Sequence, residues 1–324
     1  MSFMFVIILL LITFLHIMNE YKKSEILDIY MIRYTNKTEF NQLCSLKQPF
    51  VFFRKQTFTI PSLRENRQSI TLKDTSDYTS KNNTTDFTNG ISIMCKTACS
   101  LMSMDETGFY FSENNGQFLD ESGLLEEIKN LDKEIEPIGT VIRKHDLLFG
   151  SVNVCTPLRY HTNTGQFLYV YAGKIQIKLA SWKYTKYVNQ TKDFFAYDFR
   201  SSLNVWNLSE NKNNTDKCLL DNIPFIEFEV TENSILYLPP HWWYSIRYIA
   251  SDTIVLHYTY STPLTTLAFL ADISHYYIKQ WEVDYVKENS STGIVHELSL
   301  IAREKKGERA MDNASISSIS SDKK

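Results

Sequence analysis

The chain has 324 residues, 43% of them apolar, and a formal net charge of −3. That is enough apolar material for a buried core and too little positive charge for a nucleic-acid footprint. Tyrosine and phenylalanine number 19 and 20 while glycine and proline stand at 10 and 8, a balance that favours aromatic-packed strands over repeats or a disordered chain.

Residues 3–18 form a continuous apolar run whose only ionisable side chain is His16. As a helix it would reach about 24–27 Å, close to the thickness of a thin hydrocarbon core. No basic residue precedes it and no small-residue cleavage site follows, so a single-pass signal anchor over residues 1–24 is expected, with a cleaved signal or a buried helix as alternatives. Lys22 and Lys23 follow the run and place the main domain in the cytosol by the positive-inside rule.

Residues 25–135 read as an α/β flanking region. The spacing of Ile26, Ile29, Tyr30 and Ile32 predicts a helix, Phe40 falls in a second one, and Phe50 to Phe53 make a compact strand. Residues 64–89 are polar and read as a long exposed loop. Residues 107–115 look like a strand ending in a turn, and Leu124, Leu125, Ile128 and Leu131 mark an amphipathic helix. The charged connector over residues 132–137 is taken as the boundary to a second region, 136–285.

That second region is strand-rich. Leu168, Val170, Ile175, Ile177 and Leu179 alternate about a turn signal at Ala172-Gly173 and predict a hairpin. Residues 225–230 alternate as a half-buried strand, and residues 253–260 supply another. In Tyr237-Leu-Pro-Pro-His-Trp-Trp-Tyr-Ser-Ile-Arg-Tyr248, Pro239 and Pro240 stop a strand while Trp242 and Trp243 offer a large buried anchor. Residues 265–283 read as a closing helix and a possible homo-oligomer contact, and residues 286–324 as a disordered tail. No phosphate-cradling loop, His-Glu-x-x-His or Gly-x-Ser-x-Gly is found.

Gly150-Ser151, the Thr156-Pro-Leu-Arg-Tyr-His161 strand, Gly173-Lys174, Asn204-Val-Trp-Asn207 and the double-tryptophan corner together resemble the JmjC/cupin-like superfamily over residues 105–262. The wording is closest to a divergent cupin-like branch encoded by large DNA viruses. The resemblance implies a mainly β fold with flanking helices, a double-stranded β-helix or jelly roll. In active members of the superfamily, two histidines and a carboxylate hold Fe(II) and leave room for 2-oxoglutarate and oxygen. Here the three positions read Arg159, His161 and Tyr244. A guanidinium has no lone pair for a metal, and a phenol ligates iron only as phenolate.

Strand alternation puts Arg159 and His161 on one face and Tyr160 on the other. Either Arg159 pairs internally with an acidic or carbonyl partner, or it joins Lys174, His257 and the hydroxyl of Tyr160 or Tyr244 in a cationic pocket for a small carboxylate or phosphate. His161 and His257, with His145 or His241, are candidates for a relocated zinc or iron centre. Three functions stay open: a membrane-anchored, catalytically inert binding or interaction module without a cofactor; an Fe(II)/2-oxoglutarate hydroxylase or demethylase with a moved metal; and a structural or assembly protein.

Overall fold

The computed structural model describes residues 2–75, 90–194, 197–207 and 218–281. Met1–Leu270 form one compact unit; in the second unit, the described residues 271–281 are helical. The tail expected over residues 286–324 lies outside the described residues.

The first unit is mainly β. Its strands are β1 (Tyr30–Ile32), β2 (Phe50–Phe53), β3 (Ser69–Asp74), β4 (Ile91–Met94), β5 (Tyr110–Ser112), β6 (Ile142–Gly150), β7 (Arg159–Tyr160) and β8 (Gly165–Ala172), followed by β9 (Lys174–Ala180), β10 (Gln190–Asp193), β11 (Asp198–Ser201), β12 (Ile226–Thr231), β13 (Ser234–Leu238), β14 (Trp243–Tyr248) and β15 (Ile254–Ser261). Nine of them form one sheet in the order β1-β2-β13-β8-β15-β6-β5-β3-β4, and six form a second in the order β10-β11-β7-β14-β9-β12. The helices are α1 (Ser2–Glu20), α2 (Lys37–Ser45), α3 (Cys95–Met104), α4 (Gly116–Glu121), α5 (Leu124–Ile128), α6 (Asp132–Ile135) and α7 (Pro263–Ala268).

One buried cluster gathers apolar side chains of α2–α6 and the nine-stranded sheet, including Phe40, Leu119, Ile128, Phe167 and Tyr258. A second joins the two sheets through Leu168, Val170, Ile175, Ile177, Leu236, Trp242 and Val255. Trp243 belongs to a third cluster with Leu158, Val188 and Leu203. Trp242, just before β14, and Trp243, its first residue, thus anchor the corner in two different clusters.

Several sequence expectations change. The helix expected around Ile26 to Ile32 is instead β1, parallel to β2, and the helix that follows starts at an Asn36 cap whose side chain accepts from the Glu39 amide at 2.9 Å. Part of the expected loop 64–89 is β3, which alternates to bury Ile70 and Leu72 in the first cluster; residues 76–89 of that loop are outside the described residues. The nine-stranded sheet continues through the boundary expected at residue 135, since β5 pairs with β6. The expected closing helix is α7 in the first unit, with residues 271–281 in the second.

The expected hairpin about Gly173 does not form. β8 pairs with β13 and β15, whereas β9 pairs with β12 and β14, so the chain changes sheet at this glycine. Gly173 has φ +75°, and a Cβ there would lie 2.8 Å from Thr253 Cα. Gly173→Ala is therefore expected to destabilise the unit by more than the ~1 kcal/mol typical of a glycine in left-handed conformation, measurable by urea unfolding.

The apolar run forms α1, with nearly every large side chain from Met4 to Met18 exposed. No helix among the described residues is long and apolar enough to cross a membrane. The single-pass anchor expected from residues 3–18, and the cytosolic placement derived from it, therefore have no support. The C-terminal end of α1 is tied to α7: Thr265 Oγ1 donates to Glu20 Oε2 at 3.0 Å, and the Tyr21 ring meets Phe269 edge-on at 5.2 Å.

Candidate functional site

A cavity of about 130 Å³ lies between the two sheets. The nine-stranded sheet contributes Asp146, Gln166 and His257, the six-stranded sheet contributes Arg159, Asp198 and Tyr244, and Glu113 enters from the turn after β5. His161, one residue beyond β7, also lines it.

Glu113 is placed by local sequence. Asn114 takes φ +66°, a left-handed conformation that asparagine tolerates, and turns the chain. The amides of Asn114 and Asn115 then donate to the Asp146 carboxylate at 2.8 and 2.5 Å. The Asn115 side chain donates to the Leu147 carbonyl at 2.6 Å and accepts from the Thr71 amide at 2.9 Å, fastening β3 and β6 to the same turn.

The centre of the site is an ion network that joins the sheets. Glu113 Oε2 accepts from Arg159 Nη2 at 2.6 Å and Glu113 Oε1 from Lys73 Nζ at 2.9 Å, with all three side chains largely buried. Burial would raise the Glu113 carboxyl, but the Arg159 and Lys73 charges and hydrogen bonds outweigh it and hold the group well below the usual carboxylate range. The Arg159 guanidinium also lies 5.6 Å from the centre of the Tyr244 ring. Arg159 thus pairs internally.

Tyr244 is a neutral phenol. Burial raises its pKa against the opposing effects of Arg159 and of Gln166, whose Nε2 donates to the phenolic oxygen at 2.9 Å. His161 Nε2 lies 3.0 Å from the Leu238 carbonyl oxygen, which can only accept, so Nε2 carries the proton and Nδ1 keeps a lone pair. The His241 amide donates to the His161 carbonyl at 2.8 Å, and His241 has φ +67°. The Pro239-Pro240 corner therefore clasps the end of β7 through two hydrogen bonds.

His257 sits on β15 opposite Asp146 and Leu168 on its two neighbours, with Nε2 3.1 Å from Thr259 Oγ1. Among the predicted site residues, Arg159, His161, Tyr244 and His257 all line the cavity, and Lys174 does not. Alternation along β9 turns Ile175, Ile177 and Leu179 inward and leaves Lys174 exposed, 3.7 Å from Glu229. The expected cationic pocket accordingly loses one cation, and its other one is paired with Glu113. Sequence reasoning missed Glu113, Lys73 and Gln166. The available signals were an acid directly after the Tyr-Phe-Ser strand and a lysine within the alternating strand Ser69–Asp74.

The donors present do not fit the iron set of the family resemblance. Among the described residues no group of three or more His, Cys, Asp or Glu side chains is placed to hold a metal ion. His145, another of the candidate histidines, has Nε2 2.9 Å from Asp132 Oδ1, which in turn accepts from Tyr260 at 2.6 Å. All five cysteines, the close pair Cys95 and Cys99 included, are free.

Three imidazoles make the unit sensitive to acid. His161, His241 and His257 are each pushed down to about 3, chiefly by burial, assisted by nearby positive groups. The unfolded chain binds these protons near pH 6.5, so the stability they contribute is complete above about 6.5 and is lost as pH falls toward 3. Asp146, pushed up to about 6 mainly by burial, acts in the opposite sense, and so does Asp198, raised by burial against Arg159. With three imidazoles against two carboxyls, stability in urea is expected to fall between pH 7 and pH 5. His241→Asn tolerates the positive φ and should flatten that slope by up to about 1.4 kcal/mol per pH unit. An unchanged slope would exclude His241 as a contributor.

The sequence matches no protein-family model and no curated protein.

Proposed function

We propose that this protein is a binding module built on a double-stranded β-helix of the JmjC/cupin-like kind, in which a buried ion network occupies the position of the family's metal. The frame is supported by the order in which the chain visits the sheets. β6, β8, β13 and β15 lie together in the larger sheet, while β7, β9, β12 and β14 lie together in the smaller one. Successive strands cross from sheet to sheet except at the step from β9 to β12, as a jelly roll requires.

The observation that carries the functional reading is the Glu113 bridge between Arg159 and Lys73. On this reading Arg159, which the resemblance aligns with an iron ligand, is a fixed cation paired with Glu113 beside a polar cavity. The cavity is also small for the family cosubstrate. An engineered cavity of ~150 Å³ accepts benzene, with its six heavy atoms, whereas 2-oxoglutarate has about ten. Binding of a small polar molecule, or of a partner that inserts one polar side chain, uses what the site offers.

The test is succinate formation from 2-oxoglutarate with Fe(II), ascorbate and oxygen, using the full chain. No succinate above an enzyme-free control is expected, while turnover abolished by His161→Ala would make the oxygenase reading correct.

A further inference from the structure

We infer that the cavity between the sheets binds a small neutral ligand through a primary carboxamide or urea group. The inference rests on the reading of the protein as a non-metal binding module and names the chemistry that such a site selects.

The first argument is hydrogen-bonding capacity. Two residues that line the cavity carry buried acceptor atoms without a partner: His161 Nδ1 and Gln166 Oε1. Both residues are more than nine-tenths buried. Arg159 Nε is a buried donor without a partner. The Tyr244 oxygen already accepts from Gln166, and among the described residues its own proton has no recorded acceptor. These four buried groups on cavity-lining residues make two donors and two acceptors. A primary carboxamide matches them in number, because its oxygen accepts two hydrogen bonds and its NH₂ donates two. Meeting such groups matters because each one left unpaired in a buried site carries a desolvation penalty.

The second argument is charge. Glu113, Asp146 and Asp198 line the cavity together with Arg159, Lys73 shares Glu113, and Arg200 lies 3.9 Å from Asp198, so three acids face three bases. A carboxylate ligand would add a negative charge to this set and present only acceptors to His161 Nδ1 and Gln166 Oε1. An amidinium would add a positive charge to the same set, and its N–H groups would confront the Arg159 Nε–H and the Tyr244 O–H. The neutral amide avoids both conflicts. Size sets the third limit: about 130 Å³ admits a ligand, or the end of one, of roughly six non-hydrogen atoms.

Acetamide, acetamidinium and acetate have the same planar heavy-atom frame and differ only in charge and in donor and acceptor pattern. Each is titrated into the full-length protein at constant ionic strength and followed by protein amide chemical shifts. Acetamide should saturate the shifts of residues around the cavity and bind at least about tenfold more tightly than either charged analogue, as expected of a site that pairs its polar groups. Gln166→Met and Tyr244→Phe, which keep side-chain volume, should each weaken acetamide binding by about tenfold. Their melting temperatures establish that they fold, and if one does not, the other carries the test.

Tighter binding of acetate or of acetamidinium overturns the inference. So does acetamide binding that neither substitution weakens, or no saturable binding of any of the three. In that last case an absence of metal and of succinate formation would still uphold the non-metal module, so the two readings fail separately.

Discussion

Replacing Glu113 with glutamine is expected to destabilise the first unit by about 3–5 kcal/mol, because it strands two cations in a buried site. For a unit of this size that corresponds to a fall in Tm of roughly 10 °C. The expectation depends on burial, since the side chains of Lys73, Glu113 and Arg159 are only 7–13% exposed. Exposed pairs such as Arg64–Asp252 have over half of each side chain in solvent and should contribute little. Arg159→Met should cost less than Glu113→Gln, because Glu113 keeps Lys73. Replacing all three together, as Lys73→Met/Glu113→Leu/Arg159→Met, should come out close to neutral, since well-packed apolar residues often replace a buried ion triad without loss. A Glu113→Gln protein as stable as the wild type would show that the network is not a closed internal unit. The low folded pKa of Glu113 adds a pH signature: its stabilisation is complete above the ordinary glutamate range near 4.3 and fades as acid protonates the folded carboxylate.

Trp243→Ala should cost about 3–5 kcal/mol, in the range of large aromatic truncations in a packed core. The ring is fully buried, meets Tyr160 edge-on at 4.8 Å and donates from Nε1 to Thr185 Oγ1 at 2.9 Å. Trp243→Phe retains most of the apolar contact and gives up that hydrogen bond, so it should cost less than half as much. Because Tyr160 lies next to Arg159 and packs on Trp243, Trp243→Ala should also loosen the cavity wall. Amide exchange in β7 and β14 is the readout for that effect, and unchanged protection there would confine the loss to the outer cluster.

Much of the frame is legible in the sequence where one physical signal dominates. The alternating runs at β9 and β12 are found because burial of one face imposes a period of two, and the corner before β14 because two prolines stop a strand there. Which residues share the cavity follows in part from the same rule, as Arg159 and His161 show. Lys174 lies outside the cavity because Ile175, Ile177 and Leu179 fix the inward face of β9, and position 174 has the opposite parity. The sheet change at Gly173 is hidden because a hairpin and a crossing between layers use the same glycine conformation. β1 has three residues and carries no decisive period, so its assignment comes from pairing with β2, whereas β3 alternates within an otherwise polar stretch and is fixed by pairing with β4 and β5. The Glu113 network is the hardest part to read. Its members are far apart in sequence and meet only when β3, the turn after β5 and β7 are brought together by the fold.

The most direct test of the central claim is metal content after anaerobic exposure to Fe(II) or Zn(II), comparing the wild-type chain with Arg159→His/His161→Asp/Tyr244→His. In that variant Glu113 keeps Lys73, and two histidines and an aspartate stand at three positions that line the cavity. The account predicts a metal-free wild type and a variant that takes up close to one iron. Stoichiometric metal in the wild type, lost on His161→Ala or His257→Ala, would contradict it and make a rebuilt metal centre the core of this protein.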